Sequence, residues 1–509
     1  MGEEATVGDY TPGMGRGQLA RARGHGAGRV GGRAYLRYHC PAVRCFVRPP
    51  SAGECRQGCS DEGGDPVKAP AAQKELPGVT SRGGRLALTW LRGTAATQGW
   101  RREVWLYALL AGLLLFLFCV RIPRVTFQPD ESQWIATSTY LEVFLRGDYR
   151  PESWAENYWT LTQPPLTRYV IGVGRRLGGY GPSDLNGPWD WSTDGEENVA
   201  RGNAPSLRLL WWSRLPMAIL AVVSGLVLFR CAVAAAGRPA GYVFLILYAS
   251  SSYLATTLGR AMAESVLLAC ISLAILAGER GLACWGSPKG WPRFLAWLGA
   301  VGALAGAAAN AKLNGGAVVL TGLALCALVG LRPGAERPGR RAAAAATAGC
   351  LLLLVAALAF VLLNPYLYAD PVGHALRMVQ QRAAEMQLQR TKMPASMTSG
   401  WSMRLRVVLL RVLETYAGLC FPGAWVFNLV LTLLGAGMAA LGAWRWWVGR
   451  GGTPAEVVLL LAALTTATPS LLTPIDWDRY YLLPVVFSTL FVAIGMGRAV
   501  AAVEAWVSR

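Results

Sequence analysis

The sequence predicts an all-α, polytopic membrane protein, and three features of its composition support that fold class. Hydrophobic residues make up 53% of the chain and charged residues only 16%, against roughly 25% charged residues in an average soluble domain. The mean hydropathy is +0.32. Repeated apolar runs are long enough to cross a bilayer as helices. These features exclude a soluble globular protein.

Hydropathy predicts about ten transmembrane helices. Two long hydrophilic stretches, residues 121–210 and 364–422, interrupt the series. No internal repeat is visible by eye, which weighs against an inverted-repeat transporter. The predicted spans are residues 103–120, 211–235, 240–258, 262–279, 293–309, 314–331, 343–363, 423–444, 455–473 and 481–503.

The positions of basic residues predict the orientation of the spans. Arginine and lysine concentrate in alternate loops, starting with Arg101 and Arg102 before the first span, and cytoplasmic loops carry such an excess. Both termini are therefore predicted to be cytoplasmic, and the two long stretches extracytoplasmic. Most carboxylates of the membrane domain also fall in these outer segments, so we expect an active site there. Because the net charge of +19 is spread between spans, nucleic-acid binding is not predicted.

The amino-terminal part of the chain, residues 1–100, differs in composition from the membrane domain at 103–509. It is rich in Gly and Arg and lacks apolar periodicity and a signal-peptide hydrophobic region. We predict a disordered extension. Its four cysteines could form a zinc site, but their irregular spacing disfavours that alternative. They are Cys40, Cys45, Cys55 and Cys59.

Two adjacent carboxylates, Asp130 and Glu131, follow the first span. The segment after them, ending at Gly147, has apolar residues at helical spacing and is predicted to lie as an amphipathic helix at the membrane interface. Pro129 and Asp130 stand at its start, where a carboxylate is favoured by free amides and the helix dipole. Asp130 is therefore either a helix cap or a general base acting on a hydroxyl group.

Two further interfacial helices are predicted in the hydrophilic stretches. Residues 163–177 open with a double proline, which starts a helix at its first turn, and this segment is too short and too basic to span. The alternative is an ordinary helix packed on the bundle. The segment after Pro371 is amphipathic and is predicted to be a membrane-surface helix or a lid. Its predicted apolar face consists of Val372, Leu376, Val379, Ala383 and Met386.

Charged residues at the outer ends of spans supply the cationic part of the candidate site. An isolated ion near the membrane is costly, so we expect such residues to form ion pairs or to bind a substrate. Arg260 and Glu264 are four residues apart and are predicted to share a helix face and pair. Lys312 and Arg479 could instead only extend to the outer interface. Together with Arg214, these cations could bind a phosphate at the membrane surface.

The order of these motifs resembles the GT-C superfamily of glycosyltransferases. Within it, the chain looks like the protein O-mannosyltransferase and aminoarabinose-transferase branch. Each motif is short, and it is their order over about residues 103 to 500 that supports the resemblance. The matching positions are Asp130-Glu131, Gln163-Pro164-Pro165-Leu166, Arg214-Leu215-Pro216, Arg260 with Glu264, Lys312, and Arg479-Tyr480 with Leu482-Leu483-Pro484.

The resemblance implies transfer of a sugar, with inversion, from a polyprenyl-phosphate carrier to a hydroxyl acceptor on the extracytoplasmic side. Asp130 would be the general base, and Glu131 would orient it, hold the acceptor or help to bind a metal ion. Arg260, Lys312 and Arg479 would neutralise the leaving phosphate. The residues expected to position the substrates are Gln163, Pro164, Pro165, Arg214 and Glu264.

Two positions depart from the family pattern, since Gln163 stands where His or Lys is frequent and Glu264 where Asp is frequent. No cofactor is predicted, and a divalent metal ion is the one alternative left open. The chain has only three histidines, which argues against a histidine-rich metal site. The acceptor hydroxyl can belong to a protein, a lipid or a glycan.

A transporter or flippase for a lipid-linked or amphiphilic substrate is the main alternative function. Such a protein would place its charges near the membrane midplane on broken helices, whereas here they are predicted to cluster at one surface. A non-catalytic membrane scaffold is a third alternative, and it leaves the acidic pair unexplained.

Overall fold

The computed structural model describes residues 87–285, 290–332, 338–398, 400–416, 419 and 423–508. This part of the chain forms helices, and its one β-type contact is an isolated bridge between Met397 and Ile475, so the all-α prediction is confirmed. The α-helices are α1 (Ala87–Arg121), α2 (Pro129–Ala136), α3 (Tyr140–Leu145), α4 (Tyr158–Thr162), α5 (Leu166–Leu177), α6 (Gly195–Ala200), α7 (Leu207–Ser250), α8 (Ser252–Gly259), α9 (Ala263–Cys284), α10 (Gly290–Ala311), α11 (Val318–Leu331), α12 (Pro338–Leu362), α13 (Pro371–Lys392), α14 (Gly400–Leu410), α15 (Ala424–Trp447), α16 (Pro454–Leu472) and α17 (Leu482–Val507).

Nine helices within the described ranges are long and apolar enough to cross a membrane. One of them, α7, is interrupted at Ala236 and Gly237, and Gly237 has a φ of +84°, which favours glycine. The Tyr248 hydroxyl donates a hydrogen bond of 2.9 Å to the Ala221 carbonyl oxygen, although a straight helix would place these residues about 40 Å apart. Helix α7 is therefore a helical hairpin. Its first arm accounts for the second predicted span, and its second arm together with α8 accounts for the third.

The first helix begins at Ala87, so helical structure starts inside the segment that the sequence assigns to the amino-terminal extension. The four-cysteine pattern lies outside the described residues.

Helices of the bundle approach closely at glycines. A Cβ atom at Gly306 of α10 would overlap the carbonyl oxygen of Ala356 in α12, and one at Gly435 of α15 would overlap that of Phe491 in α17. Small residues are enriched at such interfaces because packing contacts, and not water exclusion, hold membrane helices together.

The outer surface of the bundle is apolar. Trp105, Leu109 and Phe116 of α1 are 74%, 70% and 63% exposed. An apolar surface of this kind is expected to face lipid, where helices satisfy their own backbone hydrogen bonds.

The first hydrophilic stretch folds into the short helices α2 to α6. The predicted helix after Asp130 is present but divided, because a 3₁₀ turn at Thr137–Thr139 separates α2 from α3, and it ends just before Gly147. The second predicted helix is α5, whose 12 residues extend about 18 Å and cannot span a bilayer. It packs on α7, where Gly178 lies against Trp212.

In the second hydrophilic stretch, the predicted helix after Pro371 is α13. Asp370 caps it by accepting a hydrogen bond of 2.9 Å from the Gly373 amide. Val372 and Val379 of the predicted apolar face are 80% and 59% exposed, whereas Met378, which lies outside that face, is buried. The apolar face is therefore turned away from the rest of the protein. Helix α14 follows and continues into a π-helical turn at Arg411–Thr415.

Candidate functional site

Glu131 and Arg214 form a buried ion pair that joins α2 to the first arm of α7. Glu131 is fully buried and Arg214 is 2% exposed. The guanidinium donates to both carboxylate oxygens, at 2.8 and 2.6 Å, and its remaining nitrogen donates to the carbonyl oxygens of Ile122 and Val125. The pair therefore fixes the start of α2 against the end of α1.

Two backbone amides also donate hydrogen bonds to the Glu131 carboxylate. Oε1 accepts a hydrogen bond of 2.8 Å from the Ala261 amide, and Oε2 accepts one of 3.0 Å from the Gln128 amide. Each oxygen thus accepts two hydrogen bonds. Glu131, and not Asp130, is the carboxylate that caps α2, so the interpretation of Asp130 as a helix cap is wrong.

Asp130 contacts Arg479 instead. The Arg479 guanidinium donates to Asp130 Oδ2, and both side chains are partly exposed, at 22% for Asp130 and 26% for Arg479. Arg479 also lies over the Trp477 ring, 4.7 Å from its centroid. A carboxylate at the amino-terminal turn of α2 thus meets a cation just before α17, and neither side chain is fully buried.

Glu264 pairs with Lys312 and not with Arg260. Lys312 Nζ donates to Glu264 Oε1 at 3.1 Å, and it lies 5.0 Å from the centre of the Tyr480 ring. The predicted pairing of Arg260 with Glu264 on one helix face is wrong, because α8 ends at Gly259 and Arg260 has an extended backbone before α9 begins.

Arg260 is the candidate cation that has no carboxylate partner in the described part of the chain. Its backbone is adjacent to Ala261, whose amide binds Glu131, so it lies beside the acidic pair. Its Nε is buried without a hydrogen-bond acceptor. A guanidinium without a carboxylate partner can bind an anion that reaches it.

The double-proline segment meets the site at its edge. Pro164 and Pro165 lead into α5, and the Thr167 hydroxyl of that helix donates to the Ala311 carbonyl oxygen, next to Lys312. The Gln163 side chain accepts a hydrogen bond of 3.2 Å from Arg168.

Arg168 itself is almost completely buried. Burial lowers the pKa of its guanidinium to about 10, so it stays charged at neutral pH. Its contact with Gln163 identifies the glutamine as part of the support of α5.

The structure adds contacts of Tyr480 and Arg382 that were not predicted from the sequence. The Tyr480 ring lies between Lys312 and Arg479, at 5.0 and 5.9 Å, and its hydroxyl accepts a hydrogen bond of 3.1 Å from Arg382 of α13. The resemblance already included Tyr480 in its last motif, but Arg382 has no signal beyond its position on an amphipathic helix.

A second cluster of polar side chains supports the segment that carries Arg479. Arg411 of the π-helical turn donates to both oxygens of Asp476, at 3.1 and 2.8 Å. The Tyr416 hydroxyl donates to Asp478, and the Tyr253 ring stacks on Tyr416 with centroids 4.0 Å apart. The residues just before Arg479 are therefore held in place, and π-helical turns are frequent at functional sites.

The geometry does not fit a metal ion held by Glu131, because four hydrogen bonds occupy its two oxygens. Within the ranges that the structure describes, no three His, Cys, Asp or Glu side chains gather to bind a metal ion.

The site thus contains three ion pairs and one further cation at one end of the bundle. The pairs are Asp130 with Arg479, Glu131 with Arg214 and Glu264 with Lys312. Arg260 is the additional cation, so the cluster is suited to an anion that carries one negative charge.

Comparison with solved structures gives two kinds of relative. ArnT from Cupriavidus metallidurans, which has also been crystallised with undecaprenyl phosphate, has 16% identity and a TM-score of 0.44, over 79% of this chain and 60% of ArnT. The oligosaccharyltransferase from Archaeoglobus fulgidus has 12% identity and a TM-score of 0.42, over 79% of this chain and 51% of that one. The chain thus spans only 60% and 51% of the lengths of these two proteins.

Among curated protein sequences, none matches this chain significantly. The family model of the dolichyl-phosphate-mannose-protein mannosyltransferases matches residues 139–370. The matched range includes Gln163 to Leu166, Arg214, Arg260, Glu264 and Lys312. Over that range the chain is similar to the dolichyl-phosphate-mannose-protein mannosyltransferase family, which confirms the resemblance predicted from the motifs.

Proposed function

We propose that this chain is an inverting membrane glycosyltransferase, which moves a sugar from a polyprenyl-phosphate carrier to a hydroxyl acceptor, with Asp130 as the general base. The observation that supports it most is the contact of Asp130 with Arg479, beside Lys312 and Arg260 and partly open to solvent. The family match over residues 139–370 makes a mannosyl donor the first choice. We place this site on the extracytoplasmic side and both termini in the cytoplasm, following the distribution of basic residues.

The charges of the reaction match those of the site. A sugar linked to a polyprenyl phosphate is a phosphodiester with one negative charge, which Arg260 can bind without breaking any ion pair of the cluster. Transfer of the sugar leaves a phosphate monoester, whose charge at neutral pH is about −1.5 to −2. A second cation is therefore required as the glycosidic bond breaks.

Arg479 can supply that second cation. As the acceptor hydroxyl attacks the anomeric carbon, its proton passes to Asp130, and the bond between that carbon and the phosphate oxygen breaks. Protonated Asp130 no longer holds Arg479 by charge, so the guanidinium is released to the leaving phosphate. The cation is thus available when negative charge develops on the phosphate, which is where electrostatic stabilisation lowers the barrier.

The other residues have positioning roles in this mechanism. Glu131 and Arg214 hold the start of α2, and through it Asp130. Lys312 remains beside Glu264 and faces the Tyr480 ring, where it contributes positive charge near the phosphate. The proline pair starts α5, which lies against the end of α10.

The proposal is tested by sugar transfer in membranes that contain the full chain. Radiolabelled mannose and glucose, each linked to a polyprenyl phosphate, serve as donors, and incorporation into protein, lipid and glycan fractions is measured. Asp130→Asn should lower incorporation at least 100-fold, because general-base catalysis contributes 10²- to 10⁴-fold. Asp184→Asn, at an exposed aspartate of the same stretch, is the matched control and should retain activity.

Two results would contradict the proposal. One is full incorporation by Asp130→Asn in protein that is inserted and monodisperse. The other is movement of the donor across the membrane without transfer of its sugar, which would favour the transporter.

A further inference from the structure

A pocket separate from the Asp130 cluster lies between the two hydrophilic stretches. Its volume is about 240 Å³, which is below the 300–1,000 Å³ of typical drug-sized ligand sites and much larger than one water molecule. One small ring therefore fits. The pocket is lined by Tyr149, Pro151, Trp154, Ala155, Glu156, Pro365, Tyr366, Ala369 and His374.

Aromatic rings form the walls of this pocket and are held rigidly. Tyr366 stacks on His374 with centroids 4.3 Å apart and an angle of 11° between the rings. Trp154 is buried, and its indole nitrogen donates a hydrogen bond of 2.7 Å to the Asp148 carbonyl oxygen. Tyr149 is the exposed ring of the lining, at 42%, and the electron-rich face of such a ring attracts groups with a partial positive charge, among them the C–H face of a sugar ring.

Glu156 leaves one carboxylate oxygen available to a ligand. Its Oε1 accepts a hydrogen bond of 3.0 Å from the Tyr366 hydroxyl and another from Arg377, whereas Oε2 has no partner in the described residues. The hydrogen bond from Arg377 lowers the pKa of the Glu156 carboxyl, so this oxygen accepts hydrogen bonds at neutral pH. Because Arg377 already balances the charge, the pocket suits a neutral donor of hydrogen bonds better than a cation.

His374 supplies a second polar group. Its Nδ1 contacts the Tyr366 carbonyl oxygen, and since a carbonyl oxygen only accepts, Nδ1 carries the hydrogen. In the neutral ring, Nε2 is then an acceptor. Two acceptors beside aromatic walls are the arrangement that a ring with several hydroxyl groups needs.

Helix α13 connects this pocket to the surroundings of Arg479. His374 lines the pocket, and Arg382 of the same helix donates to the Tyr480 hydroxyl next to Arg479. These two residues are eight positions apart, which corresponds to about 12 Å along the helix. One helix thus contributes both to the pocket and to the Arg479 side of the candidate site, so an elongated ligand could contact both.

We propose that this pocket binds one sugar ring of the acceptor, so that the acceptor hydroxyl at Asp130 belongs to a molecule that already carries a saccharide. The assignment to the acceptor rests on the proposed function, whereas binding of a sugar ring does not. The experiments therefore measure binding and transfer separately.

Binding is measured on the purified full chain in lipid nanodiscs by saturation-transfer NMR and by quenching of tryptophan fluorescence. The probes are methyl glycosides of mannose, glucose and galactose, with N-acetyl-tyrosinamide as an aromatic probe that is not a sugar. At least one glycoside should bind in the millimolar range. Glu156→Gln should weaken it about tenfold, as expected for a hydrogen bond to a charged group, and Glu152→Gln, four residues earlier and outside the pocket, should not.

Asp130→Asn should leave glycoside binding unchanged, because the pocket lies away from the transfer site. In the transfer assay, Glu156→Gln should raise the KM for the acceptor with little change in kcat. Failure of Asp130→Asn to lower transfer would overturn the proposed function while leaving the sugar pocket intact. Absence of glycoside binding, or tighter binding of N-acetyl-tyrosinamide than of any glycoside, would overturn the sugar pocket.

Discussion

Asp130 and Arg479, which are 349 positions apart in the sequence, form an ion pair in the candidate site. One stands in the first turn of α2 and the other in the turn before α17, so the pair connects the beginning and the end of the membrane domain. Each partner also has a separate task in the proposed reaction, as base and as counter-ion of the phosphate. The pair is therefore expected to break during each turnover.

Arg479→Met should lower kcat and kcat/KM by a similar factor, about 100-fold, with little change in the KM for the donor. The reason is that Arg479 is released to the phosphate only in the transition state, and an interaction made only there affects both parameters equally. Steady-state kinetics with a mannosyl-phosphate lipid measure this. A variant in which only the KM rises would show that Arg479 binds the donor before transfer.

Arg260→Met should have the opposite kinetic signature. Since Arg260 has no carboxylate partner in the described residues, it can bind the donor phosphate in the ground state. Loss of a charge-assisted hydrogen bond is worth about 1.5–3 kcal/mol, so the KM for the donor should rise at least tenfold while kcat changes little. Arg208→Met, at an exposed arginine at the start of α7, is the control, and an equal effect there would indicate nonspecific attraction of the lipid.

The spans could be predicted from the sequence because each depends only on a local apolar run. The third span begins after the interruption of α7 at Ala236 and Gly237, where the backbone leaves helical geometry. The predicted spans 211–235 and 240–258 are divided at the same place.

The pairing of the site residues could not be predicted, because it depends on contacts between distant helices. The four-residue spacing of Arg260 and Glu264 implies an unbroken helix, whereas α8 ends at Gly259, a residue type that often ends helices. The true partner of Glu264 is Lys312, 48 positions away, and no local pattern joins them. Likewise, no local sequence pattern joins Arg382 to Tyr480.

A double-mutant cycle can check this corrected pairing. Glu264→Gln and Lys312→Met should be coupled in the thermal unfolding midpoint of the detergent-solubilised protein, since residues in one ion pair interact by about 0.5–3 kcal/mol. Glu264→Gln and Arg260→Met should be additive within about 0.5 kcal/mol. If Glu264 were coupled with Arg260 and not with Lys312, the pairing predicted from the sequence would be correct.

Glu131→Gln should destabilise the protein by about 3–5 kcal/mol, because it leaves the buried Arg214 without its counter-ion. The thermal unfolding midpoint and the yield of monodisperse protein measure the effect. Glu131→Met combined with Arg214→Met should recover part of the lost stability, since neither charge then remains buried. Unchanged stability of Glu131→Gln would mean that the pair does not hold α2, and with it Asp130, in place.

The ion pair of Asp476 with Arg411, close to Arg479, should make the stability of the protein depend on pH. Burial of the Asp476 carboxyl acts to raise its pKa, but hydrogen bonds from Arg411 and Tyr481 outweigh burial, so the net pKa is lowered. An aspartate with a lowered pKa stabilises the folded state above its ordinary pKa of about 3.9, and this contribution is lost as the pH falls through the lower folded value.

The unfolding midpoint of the native protein should therefore exceed that of Asp476→Asn by the same amount from pH 7 to pH 5, and the difference should shrink below about pH 4. Thermal unfolding of both proteins in detergent across this range is the measurement, with Asp184→Asn as a control that shows no such difference. A gap that stays constant down to pH 3 would contradict a stabilising role of the ionised carboxylate. In that case the turn before α17 would be held in place by packing of Tyr253 and Tyr416, and not by the Arg411 ion pair.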